Sequence, residues 1–454
     1  MDNKNQKFLN KKVGKLKNWQ LIIIVVVVII IILTIILVVI FVPIYDVENV
    51  NFVLTHTVFN GTIDPQTGFG KLFLPKQSIF INDLGTKVIF GNPFHINIDE
   101  ENSSPPTIGA VFIYSQVFEE GIFKEWELIH KFISNSTEQI YFGSSVSSDN
   151  NLSKIFVGAG NNSVYYYIKD LSSSKLNYLS YQYNFIIKEE TKNKYVITTF
   201  VSPGINEKDI FCSSIDDESH VSFLKIGKDN KLILKSKFLQ KNLIGSSVNG
   251  GALENEKIKL LAIGFGNSED LEGFNNTCAN IYKSNKTNDG FILYSLIKSQ
   301  DTLFDCIAIN KINNENNKNY AFITGISFSG NEGNGKIYEI INQNSKELLT
   351  ISFPIETIPI GDGFETVITS CSINGGGDIF VIGNSTNKVY VYGYSKNKNK
   401  IAYIKKYEGI VETINSTFNT GISVAISSNS KTMAFSVYDK TSGSYGLNIF
   451  SDFG

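Results

Sequence analysis

The sequence predicts an all-β fold, a seven-bladed β-propeller preceded by a single transmembrane α-helix. A unit of strand-like pieces recurs seven times, with successive copies roughly 53 to 58 residues apart. Each copy holds short apolar runs bounded by Gly, Asn, Ser and Asp, which is the pattern of strands separated by turns. One uninterrupted apolar run precedes the repeats. Units of this length with several short strands are typical of propeller blades.

The repeat is clearest in residues 141–167, where a Gly/Ser/Val segment, an apolar run ending in Gly and an alternating aromatic strand follow one another. The third piece recurs in every copy at a similar spacing along the whole chain, which chance would not produce. A further strand follows it, as in residues 126–132 and 232–238, so we expect four strands in each blade. The seven third strands are residues 111–114, 164–167, 221–224, 279–282, 336–339, 389–392 and 447–450.

The start of the predicted propeller, residues 50–454, is expected to complete its last blade. The seventh copy stops at Gly454, directly after its third strand. Residues 52–59 resemble the outer strand around residues 128–130, and we expect them to supply the missing fourth strand. Closure of the ring would protect strand edges that are otherwise exposed. The alternative is that residues 46–60 form only a stalk.

The repeat resembles that of the FG-GAP family, whose best-known members are the propeller heads of integrin α subunits. The resemblance rests on residues 142–146 (Phe-Gly-Ser-Ser-Val), 157–160 (Val-Gly-Ala-Gly) and 109–114, and it covers about residues 50–454. The family's calcium loops, of the type Asp-x-Asp-x-Asp-Gly, are not written in this sequence. The comparable turns, residues 148–151 and 310–319, hold too few carboxylates for a calcium site, so no metal or other cofactor is expected.

A membrane anchor is predicted from Leu21 to Val42, a run that is apolar except for Thr34. As a helix, its roughly 22 residues would span roughly 33 Å, enough for a bilayer core. A cleaved signal peptide would have a shorter apolar region followed by small residues. Six lysines and one acid precede the run, and the positive side stays cytoplasmic. The expected order is a basic cytoplasmic tail (1–20), a signal-anchor helix (21–42), a stalk (43–49) and an extracellular or lumenal propeller.

Composition excludes some partners and sites. The net charge of −2 leaves the predicted ectodomain mildly acidic once the basic tail is subtracted, which argues against nucleic acid. No arginine occurs, so the bidentate carboxylate clamp of sialidases is excluded. Asn-x-Ser/Thr glycosylation acceptors are about as frequent as chance predicts, and all lie on the predicted extracellular side. They are Asn60, Asn102, Asn135, Asn151, Asn161, Asn275, Asn285, Asn384 and Asn415.

The four cysteines, Cys212, Cys278, Cys306 and Cys371, permit two disulfides in an exported domain, with three possible connectivities. Cys278 and Cys306 are the closest in sequence and fall in adjacent copies. Cys371 stands where Val146 stands in the second copy, a core position of the first strand. We therefore interpret Cys371 as a buried free thiol.

The sequence contains no catalytic constellation. Of its four histidines, His56 and His130 fall at matching outer-strand positions, and none forms a zinc cluster. Ser246 lies in a first strand of the repeat, not in the strand-to-helix elbow of a nucleophilic serine. Residues 374–377 (Asn-Gly-Gly-Gly) lack the features of a phosphate loop and predict a hairpin turn. We therefore expect no enzyme activity.

The longest insertions between strands are the expected binding loops. Phe94, Phe123 and Phe274 lie in them and are candidates to anchor a protein or glycan ligand at the propeller rim, although packing under their own loops is the simpler expectation. The sequence thus predicts a type II single-pass membrane protein whose propeller is an adhesion or receptor-like binding module. The alternatives are an ectoenzyme acting on glycans, which a central carboxylate cluster would favour, and a structural surface or virion protein.

Overall fold

The structure, a computed structural model, divides into the units Met1–Asn49 and Val50–Gly454. In the first unit it describes only Val27, which is helical. Among the described residues no helix is both long and apolar enough to cross a bilayer, and the predicted span lies outside them apart from Val27. In the second unit the described residues are 51–62, 77–97, 107–133, 142–159, 163–172, 176–184, 209–214, 220–227, 231–238, 243–254, 257–267, 278–285, 290–299, 301–310, 319–327, 332–341, 343–354, 358–359, 365–366, 369–384, 388–395, 400–408, 418–439 and 444–452.

The described part of the second unit is built from β-strands. In chain order they are β1 Val53–Thr62, β2 Ile79–Ile81, β3 Lys87–Asn97, β4 Thr107–Glu119, β5 Ile122–Ile133, β6 Ser145–Ser148, β7 Lys154–Ala159, β8 Ser163–Lys169, β9 Tyr178–Asn184, β10 Asp209–Ser214, β11 His220–Ile226, β12 Leu232–Phe238, β13 Leu243–Glu254, β14 Lys257–Asn267, β15 Cys278–Asn285, β16 Gly290–Lys298, β17 Thr302–Ile309, β18 Asn319–Ser327, β19 Glu332–Ile341, β20 Asn344–Pro354, β21 Ile358–Pro359, β22 Glu365–Thr366, β23 Thr369–Ile373, β24 Ile379–Asn384, β25 Lys388–Ser395, β26 Lys400–Glu408, β27 Phe418–Ile426, β28 Thr432–Asp439 and β29 Ser444–Ser451.

Within the described residues, six four-stranded antiparallel sheets form the blades. Blade 1 is β2–β5, blade 2 β6–β9, blade 3 β13–β16, blade 4 β17–β20, blade 5 β23–β26, and blade 6 β27–β29 with β1 as its fourth strand. Between blades 2 and 3 lies a sheet of three strands, β10–β12, and β21 and β22 form a short ribbon. The six four-stranded blades correct the prediction of seven. The third copy of the repeat is described only as the three-stranded sheet, and residues 185–208 before it lie outside the described part.

Consecutive sheets meet along a ring. The first strands of neighbouring blades contact each other, as β2 does with β6 and β27, and β17 does with β13 and β23. Side chains alternate between the two faces of each blade, so Phe112 packs towards blade 6 and Ile113 towards blade 2. The three-stranded sheet joins blade 2 through Leu224, which packs with Phe156. The hydrophobic core is therefore a series of apolar interfaces between blades.

β1 ties the last blade to the first. It pairs antiparallel with β29, from Val53 opposite Ser451 to Thr62 opposite Ser444. The indole Nε1 of Trp126, on the outer strand of blade 1, donates to Thr55 Oγ1 at 3.2 Å. His56 lies with its ring 5.4 Å from that of Tyr114. β1 therefore both covers the edge of β29 and contacts blade 1.

Two glycines of the repeat allow close contact between blades 1 and 2. A Cβ on Gly91, at the end of the apolar run in β3, would stand 2.0 Å from the carbonyl oxygen of Gly143. A Cβ on Gly109, whose φ is +102°, would stand 2.3 Å from the carbonyl oxygen of Phe142. Both distances are far below van der Waals contact, so a side chain at either position would force the blades apart. Close backbone contact accounts for these glycines of the repeat.

Candidate functional site

In five blades, a polar residue directly after the first strand accepts a hydrogen bond from the backbone near the start of the second strand. In blade 1, Asn82 Oδ1 accepts from the backbone N–H of Thr86 (2.8 Å) and Lys87 (2.9 Å). In blade 5, Asn374 Oδ1 accepts from Asp378 and Ile379 in the same way. Short polar side chains stabilise turns by such bonds to nearby backbone groups. The equivalent residues are Asp149 in blade 2, Asn310 in blade 4 and Ser427 in blade 6.

These turns also bond to one another from blade to blade. The Asp83 N–H donates to Asn150 Oδ1 at 2.9 Å, which joins blades 1 and 2. The Asn429 N–H donates to the Asp83 carbonyl at 3.1 Å, which joins blades 6 and 1. The Asn374 amide donates to Ser430 Oγ at 2.7 Å, which joins blades 5 and 6. We call the four turns, residues 82–86, 149–153, 374–378 and 427–431, the turn belt.

The carboxylates of the turn belt are occupied by protein donors. Asp149 accepts from the backbone N–H of Ser153 (2.7 Å) and Lys154 (3.3 Å) and from the Ser153 hydroxyl. Asp83 accepts from the Ser428 hydroxyl and the Asn150 amide. Within the described residues, no group of three His, Cys, Asp or Glu side chains is placed to hold a metal ion. At the comparable turn 148–151, the acid thus serves the hairpin itself.

Large apolar side chains protrude beside the turn belt on blades 1 and 2. Turns between first and second strands, and between third and fourth strands, lie at the same end of an antiparallel sheet. Leu84 stands in the first kind of turn and is 68% exposed. Phe118 and Ile122 (51% and 72% exposed) flank the β4–β5 turn, and Leu171 (87%) stands in the β8–β9 turn. We call these four residues the apolar rim.

The β4–β5 hairpin carries half of the apolar rim on a defined support. Its two-residue turn, Glu120-Gly121, has positive φ at both positions (53° and 82°), as favoured two-residue hairpins require. Below the turn, Phe123 packs between Phe118 and Trp126, with ring centroids 6.2 and 6.5 Å apart. Trp126 itself is buried. These edge-to-face contacts therefore support Phe118 beside the hairpin turn.

The three predicted anchors have different outcomes. Phe123 is half-buried and supports the hairpin, so it is not a free anchor. Phe94 lies in β3, where the register with β4 is interrupted between Asn92 and Ile96, and its side chain lies outside the described residues. Phe274 also lies outside them. Sequence reasoning missed the apolar rim, although one signal was available, namely single large apolar residues within polar turns, such as Leu84 after Asn-Asp and before Gly.

The remaining predicted residues have structural surroundings where they are described. His130 packs against Phe132 and Tyr178, with ring centroids 4.5 and 5.1 Å away, and burial lowers its pKa as it does that of His56. Ser246 lies within β13 and residues 374–377 form a hairpin turn. Among the acceptors, Asn151 stands exposed in the turn belt, Asn285 ends β15 and is partly exposed, and Asn60 and Asn384 lie in β1 and β24. Asn102, Asn135, Asn161, Asn275 and Asn415 lie outside the described residues.

No protein-family model and no curated protein gives a significant match to this sequence. Solved structures do match. The crystal structure of the RRP9 WD40 repeats has 9% identity, covers 88% of this chain and 100% of its own, and gives a TM-score of 0.51. A chain of the Mitotic Checkpoint Complex has 11% identity, coverage of 91% and 95%, and a TM-score of 0.53. Raptor of Chaetomium thermophilum has 10% identity, coverage of 89% and 30%, and a TM-score of 0.53.

The chain is a β-propeller. At identities near 10% the likeness establishes the fold alone. The all-β and propeller parts of the prediction are confirmed. The FG-GAP family is not shown, since no family model matches and the first of these structures is described as WD40 repeats.

Proposed function

We propose that this propeller is a protein-binding module, displayed on the far side of a membrane from its lysine-rich tail. The observation that carries the binding role is the apolar rim, four large apolar side chains held beside the turn belt of two adjacent blades. Single exposed apolar residues are ordinary, but several on one rim are typical of an interaction site. The membrane part of the proposal is supported by the apolar run from Leu21 to Val42 and its lysine-rich flank.

The chemistry of the apolar rim favours a protein over a glycan. Leucine, isoleucine and phenylalanine side chains offer apolar contact area and no hydrogen-bonding group. Sugars are held mainly through their hydroxyls, which these side chains cannot satisfy. The turn belt holds Leu84 in place, because the Asn429 side-chain amide of blade 6 donates to the Leu84 carbonyl at 2.9 Å. A side chain on such a rigid support loses less conformational entropy on binding. One structural neighbour comes from a protein assembly, the Mitotic Checkpoint Complex, which supports the same kind of partner.

Site-specific photo-crosslinking tests this proposal in the full chain. A photoreactive residue at position 84, 122 or 171 is expected to capture one and the same protein on intact cells. A photoreactive residue at Leu296, also a large apolar residue and 42% exposed but on the outer strand of blade 3, serves as the control and should not capture it. Leu84→Asp and Ile122→Asp should each weaken binding of the captured partner by about 1 to 3 kcal/mol without lowering stability. Capture that is equal at position 296, or unchanged affinity in both variants, would refute the binding role of the apolar rim.

A further inference from the structure

Cys306 and Cys371 lie against each other across the interface of blades 4 and 5. Cys306 is in β17 and Cys371 in β23, the first strands of their blades. The Cys371 N–H donates to Cys306 Sγ at 3.2 Å, and the same sulfur lies 3.8 Å from the Cys371 carbonyl oxygen. Both residues are buried, at 3% and 8% exposure. Cys371 is a buried free thiol in the structure, as predicted, and the Cys306 side chain lies against it.

We propose that Cys306 and Cys371 form a disulfide that joins the inner strands of blades 4 and 5. The Cys306 sulfur already lies against the backbone of the residue to which it would bond. The Cys371 sulfur lies 3.8 Å from the Phe322 carbonyl oxygen, so bond formation requires this side chain to rotate towards Cys306. The bond would enclose the chain from residue 306 to residue 371, a long loop, and cross-links over long loops restrict the unfolded chain most strongly.

The reaction is a thiol–disulfide exchange with an oxidised partner such as oxidised glutathione. A Cys306 or Cys371 thiolate attacks the partner disulfide, giving a mixed disulfide and releasing one partner thiol. The second cysteine then attacks the mixed disulfide, so that the Cys306–Cys371 bond forms and the second partner thiol leaves. The two protein thiols lose two protons and two electrons, and the partner disulfide is reduced to two thiols.

Burial decides when this exchange takes place. Burial, followed by the neighbouring Cys306 thiol, raises the pKa of the Cys371 thiol well above its usual value. The thiolate is the reactive form, and the folded blades restrict access to both sulfurs. The bond should therefore form while the chain folds, and afterwards it should resist both reductants and alkylating reagents. In the cell the bond also rests on the proposed export, because cytosolic thiols are kept reduced.

Peptide mapping tests the pairing in the full chain isolated from cells after alkylation of free thiols. Cleavage after lysine should give the peptide 299–311 linked to the peptide 347–388, and reduction should separate them. A second arm refolds the reduced, purified chain in oxidised glutathione, which removes the dependence on cellular compartment. The bond in both arms supports the pairing and the export. The bond only after refolding supports the pairing and contradicts the export. No 299–311/347–388 species in the refolding arm, or Cys306 linked to Cys278, overturns the pairing.

Variants separate a covalent bond from mere packing. Cys306→Ala and Cys371→Ala should lower the melting temperature by similar amounts, and the double variant should lower it by little more than either one. After unfolding and refolding in a reductant, the melting temperature of the wild-type protein should fall close to that of the variants. Cys212→Ala, on β10, is the matched control and should leave the linked peptide intact. Additive losses that persist unchanged in reductant would show that the two residues act only by packing.

Discussion

At the scale of the residue, Lys336 shows how a buried charge is accommodated within blade 4. It lies on β19, its side chain is only 5% exposed, and Nζ stands 2.6 Å from Asp301 Oδ1 and 3.5 Å from Glu347 Oε2. Burial acts to raise the pKa of Asp301, but hydrogen bonds from Lys336, Ser299 and Thr302 outweigh it and lower that pKa. Tyr338 adds a hydrogen bond to the same Glu347 oxygen at 3.1 Å. The buried cation is therefore paired and hydrogen-bonded.

We expect Lys336→Met to lower the free energy of unfolding by about 1 to 3 kcal/mol, the range for a hydrogen bond to a charged group. Methionine keeps most of the buried stem but removes the charge. The two carboxylates are about half exposed, so they regain water, and the loss should stay below that of an unpaired buried ion. Urea unfolding followed by circular dichroism measures the change.

Lys124→Met is the matched control for this substitution. Lys124 makes a comparably short pair with Glu119, at 2.8 Å, but both side chains are more than half exposed. Exposed pairs contribute little because water and salt screen them, so the change should lie within about 0.5 kcal/mol. Equal losses in the two variants would mean that the burial of Lys336 has no energetic consequence. Greater stability in Lys336→Met would mean that the desolvation of the ammonium exceeds the gain from its partners.

At the scale of the element, β1 is the strand on which the ends of the ring depend. Phe52, the residue directly before β1, is almost fully buried. The Thr55 hydroxyl donates to the Ile449 carbonyl of blade 6 at 3.1 Å and accepts from the Trp126 indole of blade 1. Loss of β1 would expose the backbone edge of β29, and exposed edges pair with other chains. β1 therefore acts as a clasp between the last blade and the first.

Removal of residues 1–62 should lower the melting temperature and cause concentration-dependent association, whereas removal of residues 1–50 should do neither. The two truncated chains differ only by Asn51, Phe52 and β1. Trp19 is absent from both, so Trp126 is their only tryptophan and its fluorescence reports the contact directly. Without Thr55 the indole should meet water and its emission should move to longer wavelength. Identical emission and melting in the two chains would contradict the role of β1 as a clasp.

The strands were predictable, but the contacts between blades were not. Each of the seven third-strand segments lies in a β-strand, because alternating burial within a few residues leaves a local signal in the sequence. Residues 52–59 resemble an outer strand for the same reason, and the structure places Val53–Thr62 in that position. The bonds from Asn429 to Asp83 and from Trp126 to Thr55 join residues far apart in sequence, and no local pattern specifies them. The apolar rim was missed because turns were treated as polar connections.

At the scale of the whole molecule, different parts of the ring provide stability and the proposed binding surface. Apolar interfaces between blades and the β1 clasp hold the ring, while the turn belt and apolar rim stand at one end of the blades. Substitution of exposed rim residues should therefore change binding and leave folding intact. The same separation allows the proposed placement of the ring on the far side of a membrane to be tested without disturbing the fold.

Glycosylation tests that side, because Asn151 is an exposed acceptor in the turn of blade 2. If residues 1–20 stay in the cytoplasm, the propeller enters the secretory compartment, and the chain from cells should shift to lower mass on treatment with an N-glycanase. Asn151→Gln should remove one glycan. Asn150→Gln should remove none, because Asn150 is also exposed, one residue away and not followed by Ser or Thr at the required spacing.

Replacement of the six tail lysines by glutamate should reduce the glycosylated fraction, since it removes the positive charge that sets the orientation. A wild-type chain with nine acceptors and no shift on deglycosylation would place the propeller on the cytoplasmic side. The partner proposed for the apolar rim would then be a cytoplasmic protein.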